Sequence, residues 1–407
     1  MATEHFVIVG GGQAAVQAIQ TLRQNKFDGR ITLVGEENYL PYQRPPLSKK
    51  YLTGNLERDR LFLRPLTFYE KNCVSVELGI RAKQLDPDLR HLTLDDGRTL
   101  HYDRMLLATG SRVRRLGVPG ADLLGIHYVR TMVDADAILS SMETGSRLVV
   151  VGAGYIGLEV AAISALRGLE VTILEAVDRV MARVVCPEVS QFYLDYHARA
   201  NVEIRCNTVV SRFIGGERVK AVEISDGQRF PCDLVIVGIG VVPEVGLAAE
   251  AGIACKNGIL VDEFARTEDY KILAAGDCTN HPSRLLGKHV RLESVQNAID
   301  QAKTASITHL GMLEPYAVTP WFWSDQYDLK LQIAGLSEGY EQVVIRGTPS
   351  KVPFAVFYLR SGQLLAVNAI NSPKDFLIGK KLISAKTPVH AELLADEKID
   401  LTSLIDN

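Results

Sequence analysis

Two short glycine patterns carry the clearest chemistry in this chain: Gly10-x-Gly12-x-x-Ala15 in "FVIVGGGQAAVQAI" (6–19) and Gly152-x-Gly154-x-x-Gly157 in "VVVGAGYIGLEVAA" (149–162). Each follows a β-branched run and opens a helix-like stretch. The first glycine of such a pattern makes the tight turn, and the second lets backbone approach a pyrophosphate. A Gly or Ala at the third position lets helix and strand pack closely. The pyrophosphate charge then meets unpaired N–H groups at the helix N-terminus.

An acidic residue should close the second strand of each copy and accept from an adenosine ribose. "ITLVGEE" supplies Glu36, 24 positions past Gly12, and "VTILEA" supplies Glu175, 21 past Gly154. A carboxylate at Glu175 repels a 2′-phosphate and so favours NADH over NADPH. Arg179 and Arg183 pull the other way unless they face solvent or pair with acids. Two dinucleotide sites in one chain imply that electrons pass from one cofactor to the other. On this reading the first copy binds FAD, its duplicate binds NADH, and the reactive rings meet between the domains.

The elements that must position these residues repeat in tandem. Strand, glycine turn, helix (12–24) and strand (31–34) lead into the Pro-rich "YLPYQRPPLSKKYLTG". A β-meander follows, with a D-D-G turn between strand-like pieces before "LLATG". Residues 111–145 read as a crossover, the strand–glycine–helix pattern restarts at 147, and strands are expected at 202–206, 218–224 and 234–237. "GILVDEFARTEDYKILAAGDCTN" returns to the chemistry of the first copy. The first domain is therefore expected to be discontinuous, 1–111 with 245–320, around a second at 112–244. From 321 the pattern alternates apolar and polar and then turns helical over 373–394, giving a third domain, 321–407. The fold class expected is α/β: two Rossmann-type dinucleotide-binding domains, glutathione-reductase-like, plus a smaller α+β C-terminal domain.

Composition narrows the partners. The chain has 407 residues, 47% hydrophobic, with a formal net charge of -3. That balance gives no global attraction to nucleic acid or to an anionic membrane surface. No apolar run reaches the length needed to span a bilayer, and "MATEH" leads straight into a strand, so a cytoplasmic protein is expected. The six cysteines are scattered, without C-x-x-C or metal-like spacing, so neither a redox disulfide nor a metal site is expected. His5, His91 and His101 read as solvated loop positions.

With "LPYQRPPLSKKYL" (40–52), "LLATGSR" (106–112), "VVVGAGYIGLEVAA", "AAGDCTN" (274–280) and "ESVQNAIDQA" (293–302) in view, the sequence resembles the FAD-dependent, NADH-utilising ferredoxin reductases of bacterial cytochrome P450 and aromatic-ring dioxygenase systems. The proline-lysine block is the most family-specific part, and the likeness runs from residue 6 to about 330 and more loosely to the end. The resemblance implies that Lys49 lies beside the flavin and stabilises negative charge on the reduced ring. Arg44 and Pro45 would flank ring and pyrophosphate, and Ala82 would face adenine. It implies Thr109, Gly110 and Arg112 over the FAD phosphates and Arg130 as a second flavin-contacting arginine. Asp277 would accept from the ribityl hydroxyls, the Val295 backbone would meet the pyrimidine edge, and Trp323 would lie against the isoalloxazine. In the second domain it implies Gly154, Tyr155 and Ile156 along the pyrophosphate and nicotinamide path, Glu159 on the carboxamide, and Ile239 and Gly240 over the nicotinamide. One departure is Pro243-Glu244, where relatives carry Pro-Asn; it bears on loop geometry and cofactor release.

The implied activity is hydride transfer from NADH to FAD, then single electrons to a [2Fe–2S] ferredoxin docked on a local basic patch. Arg60, Arg64, Arg284, Arg291, Lys380 and Lys381 are candidates for that patch, in a monomer or weak dimer. Rubredoxin and monodehydroascorbate reductases share this cofactor chemistry and differ in acceptor. A cysteine-using NADH oxidase, peroxidase or CoA-disulfide reductase would need a thiol between 36 and 52, and none occurs there. A signalling flavoprotein like apoptosis-inducing factor shares "RPPLSK" but carries a long targeting region and a basic DNA-binding surface, neither of which is expected here.

Overall fold

A computed structural model describes residues 3–405. The chain divides into two compact units: 1–43 with 58–112 and 241–320, and 44–57 with 113–240 and 321–407.

The first unit is built on a five-stranded parallel sheet ordered Ile272–Ala274, Arg104–Leu107, His5–Val9, Arg30–Gly35, Val74–Leu78. Its inner strands read as near-continuous apolar runs because both faces are covered, whereas the edge strand Val74–Leu78 alternates. Phe6 and Ile8 pack on one face with Ala15, Ala18, Ile19 and Leu22 of the helix Gln13–Gln24, and with Ala302 and Ala305 of the helix Val295–His309. Val7 and Val9 face the other way, onto Leu85, Leu92 and Leu94 of the antiparallel meander Ala82–Asp86, His91–Leu94, Thr99–His101. The chain leaves His5–Val9 toward one neighbour and later returns on its other side. The carboxyl end of that strand is therefore a topological switch point, where such sheets take ligands. The histidines are not loop residues. His5 is buried in the first strand, its ring bonded to the His101 carbonyl at 2.6 Å and to Thr32 Oγ1 at 2.8 Å, while His91 and His101 face each other across the meander. The strand begins one residue earlier than its apolar run because His5 has polar partners on both sides.

The second unit repeats the parallel sheet as Glu203–Arg205, Glu170–Leu174, Arg147–Val151, Leu234–Val237, Ile126–His127. A three-stranded antiparallel sheet, Val210–Gly215, Val219–Ile224, Arg229–Pro231, adds a strand at 210–215 that the sequence reading passed over. The stretch 111–145 holds the short strands Ser111–Val113 and Ile126–His127 and the helix Met132–Ser141, which Thr131 and Asp134 close with a capping box. From Trp321 a five-stranded antiparallel sheet packs against the helix Pro373–Ala385. That helix stops short of 394: Lys386 takes a left-handed backbone, Pro388 follows, and a separate turn forms at Ala391–Ala395. Arg346 donates to the carbonyls of Leu394, Asp396, Glu397 and Ile399 and ties down the last segment.

Candidate functional site

In the first unit the Gly10 amide donates to the Val34 carbonyl at 2.8 Å, and a Cβ on Gly10 would stand 2.1 Å from the Ala108 carbonyl oxygen. With φ at +122, this position admits only glycine. Above Gly11 and Gly12, by contrast, no protein atom lies within 4 Å of where a Cβ would be. The helix that follows has no side-chain N-cap and no acid in its first turn, so its terminal N–H groups are left for an anion. The glycine turn therefore fits a pyrophosphate, and Ala15, fully buried, sets the close contact of helix and sheet.

Around this turn stand the other expected residues. Glu36 sits exposed, one residue past its strand, 3.9 Å from Arg81, and Ala82 pairs with Leu94 in the meander. Thr109 Oγ1 donates to the Glu244 carbonyl at 2.6 Å, and the Gly110 carbonyl accepts from the Glu244 amide at 2.9 Å. Arg112 pairs with the Glu244 carboxylate. The residue that departs from the family pattern is thus fastened to both ends of the "ATGSR" turn. Ser111 Oγ donates to Asp277 at 3.0 Å. Gln301 accepts from the Gly276 amide and the Thr279 hydroxyl, each at 2.8 Å, and holds the "AAGDCTN" turn. Val295 is the first residue of its helix, capped by Ser294. Sequence reasoning missed Ser111, Gln301 and the Arg112–Glu244 pair. Gln301 lay inside a quoted motif, and its type was the available signal. Cys278, next to Asp277, is no nucleophile: burial pushes its thiol pKa up.

The second unit builds the same turn. The helix Tyr155–Leu166 also lacks a side-chain cap and a first-turn acid, and nothing stands within 4 Å of a Cβ on Gly154. A Cβ on Gly157 would sit 2.1 Å from the Gly152 carbonyl oxygen, so helix and turn touch backbone to backbone. Glu175 accepts from the Ala153 amide at 2.5 Å and the Val177 amide at 3.1 Å, so its carboxylate is held at the mouth of the turn. Arg179 donates to the carbonyls of Val185 and Ala182, a structural use that takes it away from a phosphate. Arg183 is exposed, its guanidinium 3.5 Å from where a Gly240 Cβ would lie, beside Ile239. Ile156 is exposed, and the Tyr155 ring lies 4.7 Å from Phe322.

The same unit holds a buried ion pair. The proline-lysine block forms a 3-10 turn, Pro45–Ser48, whose end is closed by the Lys49 amide donating to the Pro46 carbonyl. Lys49 Nζ stands 2.7 Å from Glu159 Oε2, at side-chain exposures of 14% and 2%. Ser48 donates to Oε2 and Ser324 to Oε1, both at 2.6 Å. Burial raises the Glu159 pKa, and Lys49 and the two serines oppose that rise. Arg44 donates to the Arg130 carbonyl at 2.8 Å, and Trp323 is half-buried with its ring 5.7 Å from Trp321. The sequence paired neither Lys49 with Glu159 nor Glu159 with a serine, because Lys49 and Glu159 lie 110 positions apart and no local spacing records the contact. Among the described residues no group of His, Cys, Asp and Glu could hold a metal ion, and no helix is long and apolar enough to cross a membrane.

Residues 4–302 match the family model described as pyridine nucleotide-disulphide oxidoreductase, and 321–405 match the reductase C-terminal model. Rhodocoxin reductase of Rhodococcus erythropolis is 43% identical over 97% of this chain and 93% of its own. Putidaredoxin reductase of Pseudomonas putida is 40% identical over 99% and 97%. Among solved structures, the covalent putidaredoxin reductase–putidaredoxin complex superposes with a TM-score of 0.97 at 40% identity, covering 100% of this chain and 99% of that one. The twin glycine turns, each open above its second glycine and each opening an uncapped helix, are thus those of a family that works with two dinucleotides: this chain is a pyridine nucleotide-disulphide oxidoreductase, an FAD- and NAD(P)H-using flavoprotein with a reductase-type C-terminal domain.

Proposed function

We propose that this protein takes hydride from NADH onto FAD and delivers electrons singly to a [2Fe–2S] ferredoxin that supplies a cytochrome P450 or a ring-hydroxylating oxygenase. The observation that carries the reading is the pair of open glycine turns in one chain that also buries Lys49 against Glu159. Relatives named as rhodocoxin and putidaredoxin reductases support the acceptor. FAD, when bound, supplies the exchange between two-electron and one-electron chemistry.

The chain's own part is positioning and charge. Gly10, Gly12 and Ala15 admit the FAD pyrophosphate, Glu36 takes its ribose, and Thr109, Gly110, Arg112, Asp277 and Val295 line its length, with Ala82 at the adenine. Gly152, Gly154 and Gly157 admit the NADH pyrophosphate and Glu175 its ribose, with Tyr155, Ile156, Ile239 and Gly240 along the nicotinamide path. Lys49 offers a fixed positive charge to a ring that gains negative charge on reduction, and Glu159, expected on the nicotinamide carboxamide, has both oxygens taken by Lys49, Ser48 and Ser324 and in this reading keeps that lysine in place. Arg44, Pro45, Arg130 and Trp323 complete the flavin contacts in this reading, and the domains follow as 1–111 with 245–320, 112–244 and 321–407.

Glu175 decides the coenzyme. Glu175→Gln leaves one acceptor oxygen for the ribose but replaces the other with a donor and removes the charge that repels a 2′-phosphate. NADH is expected to bind about tenfold more weakly and NADPH no worse than before, read as Kd values from anaerobic titration. Unchanged preference would assign selectivity to Arg183.

The acceptor is tested by stopped-flow reduction with NADH, followed by reoxidation with a panel of [2Fe–2S] ferredoxins, rubredoxin and monodehydroascorbate. Ferredoxins should reoxidise the protein fastest. Arg60, Arg64, Arg284 and Lys381 are exposed, whereas Arg291 is tied to Glu293 at 2.5 Å and Lys380 lies over Trp321. If exposed cations of this kind dock an acidic ferredoxin, raising ionic strength from low to moderate slows ferredoxin reduction several-fold and leaves a small dye nearly unaffected. Equal slowing of both would remove the basic docking patch.

A further inference from the structure

We propose that His197 is a positioning residue for the buried Glu159–Lys49 pair, acting through Gln326 and Ser324 along a chain of hydrogen bonds that all point toward the carboxylate. The inference rests on the reading that this pair serves hydride transfer.

The chain runs inward from the hairpin turn after Trp321–Gln326. Tyr327 hydroxyl lies 3.2 Å from His197 Nδ1, and His197 Nε2 lies 2.9 Å from Gln326 Oε1. Gln326 Nε2 stands 3.3 Å from Ser324 Oγ, which is 2.6 Å from Glu159 Oε1. His197, Gln326 and Ser324 are each at most 1% exposed, so water does not substitute for a missing partner.

Donor and acceptor logic fixes the direction. An ionised carboxylate only accepts, so Ser324 must donate its single proton to Glu159. Its oxygen is then free to accept from the Gln326 amide N–H. With its nitrogen on Ser324, Gln326 turns its oxygen to His197, which must carry its proton on Nε2. Nδ1 is left as an acceptor, and the Tyr327 hydroxyl donates to it. Burial lowers the His197 pKa, which keeps the ring neutral and able to accept at Nδ1.

The consequence lies in the alternative. Were the proton on Nδ1, the Gln326 amide would rotate to place its N–H toward His197 and its oxygen toward Ser324. That oxygen would compete for the proton Oε1 now receives. Oε2 keeps Ser48 and Lys49, but Ser324 is the hydrogen-bond partner of Oε1. One histidine tautomer therefore decides whether the buried carboxylate is held from both oxygens.

A second observation marks the turn as constrained. Tyr327 has φ +56 between two paired strands, where Gly or Asn would be unstrained. A tyrosine held in that conformation is a candidate for a functional constraint, and its hydroxyl is what fixes the tautomer.

The groups facing Glu159 are Lys49 from the proline-lysine turn, Tyr155 on its own helix and Tyr193 from the helix Pro187–Arg199, with Asp325 acting on Tyr193; His197 in turn faces Tyr327, whose ring meets Tyr196. The tyrosine phenols of Tyr155 and Tyr193 are pushed up by burial. Glu159 is then the group whose protonation removes the Lys49 partner as pH falls.

The test uses the FAD-loaded protein. Ring 15N shifts should show His197 neutral and protonated at Nε2, and Tyr327→Phe should populate the Nδ1–H form. Infrared difference spectra against Glu159→Gln should show the protonated carboxyl band of Glu159 growing in as pH falls. In His197→Leu that band should appear about one pH unit higher, the shift expected for one lost hydrogen bond to a charge. The acid limb of NADH-driven reduction should move with it, and His197→Gln, which restores a donor to Gln326, should return both. Ser324→Ala carries the same expectation should His197→Leu not fold. An Nδ1–H ring in the wild type, or a carboxyl band and acid limb unmoved in His197→Leu and Ser324→Ala, overturns the proposal. If Glu159→Gln slows reduction while those variants do not, the relay alone fails; if Glu159→Gln reacts like the wild type, the reading of the pair fails with it.

Discussion

Lys49→Met is expected to slow reduction of the bound flavin by NADH about a hundredfold, the scale on which removal of one preorganised charge or donor acts. The same change should cost about 3 kcal/mol of stability at pH 7, because it strands a carboxylate that is 2% exposed. The sign with pH separates this from simple loss of packing. Burial already raises Glu159 above an ordinary carboxyl, and the Lys49 charge is the strongest influence holding it down. Without Lys49 the folded-state pKa rises further, so the penalty exists while Glu159 is ionised and fades as pH falls through that raised pKa. Below the unfolded-state value the carboxyl is protonated in both states and contributes nothing. Denaturant unfolding of wild type and variant should therefore converge on acidification. Lys49→Met/Glu159→Gln should be more stable than Lys49→Met at neutral pH and no faster in hydride transfer. A stability gap that stays constant with pH would show that the methionine acts through shape and that Glu159 does not depend on Lys49 for its charge.

What the sequence made legible follows the range over which each constraint acts. A glycine turn, its strand and its helix lie within some fifteen residues, and their steric demands are local, so both copies could be read. The same holds for the meander, whose Asp95-Asp96-Gly97 turn separates the strands His91–Leu94 and Thr99–His101. Partnerships set by tertiary packing were not legible. Nothing near Glu159 announces that Ser48, Lys49 and Ser324 converge on it from two distant segments. Glu244 could be recognised as a departure from the family pattern but not as the partner of Arg112. His5 failed for a related reason: a terminal histidine ahead of an apolar run looks solvated until Thr32 and the His101 carbonyl are brought to its ring. The helix expected over 373–394 was overextended because its apolar spacing continues past Lys386, where the backbone turns left-handed. Resemblance supplied roles for individual residues that spacing alone did not, and it did so without the contacts that explain how those residues are held.

The second large effect sets two neighbouring glycines against each other. Gly157→Ala places a methyl group 2.1 Å from the Gly152 carbonyl oxygen and 3.4 Å from Val150 Cγ1. Both the oxygen and the helix are backbone, so the clash is relieved only by lifting the helix Tyr155–Leu166 off its strand. Overpacking of this kind costs roughly 3 kcal/mol or more, and that helix carries Glu159, so thermal stability and the hold on Lys49 should fall together. Gly154→Ala meets nothing within 4 Å and has an ordinary backbone, with φ -78. It should leave the melting temperature within a few degrees of wild type, while its methyl group occupies the space a pyrophosphate needs and weakens NADH binding by tenfold or more. In the first unit the same contrast is expected between Gly10→Ala, which drives a methyl into the Ala108 carbonyl and should prevent folding of the FAD unit, and Gly12→Ala, which should fold and release its flavin. Melting curves followed by both flavin fluorescence and far-UV circular dichroism distinguish the two classes. A Gly154→Ala variant that binds NADH as tightly as wild type would mean that the pyrophosphate does not cross this turn, and the assignment of the second dinucleotide site would go with it.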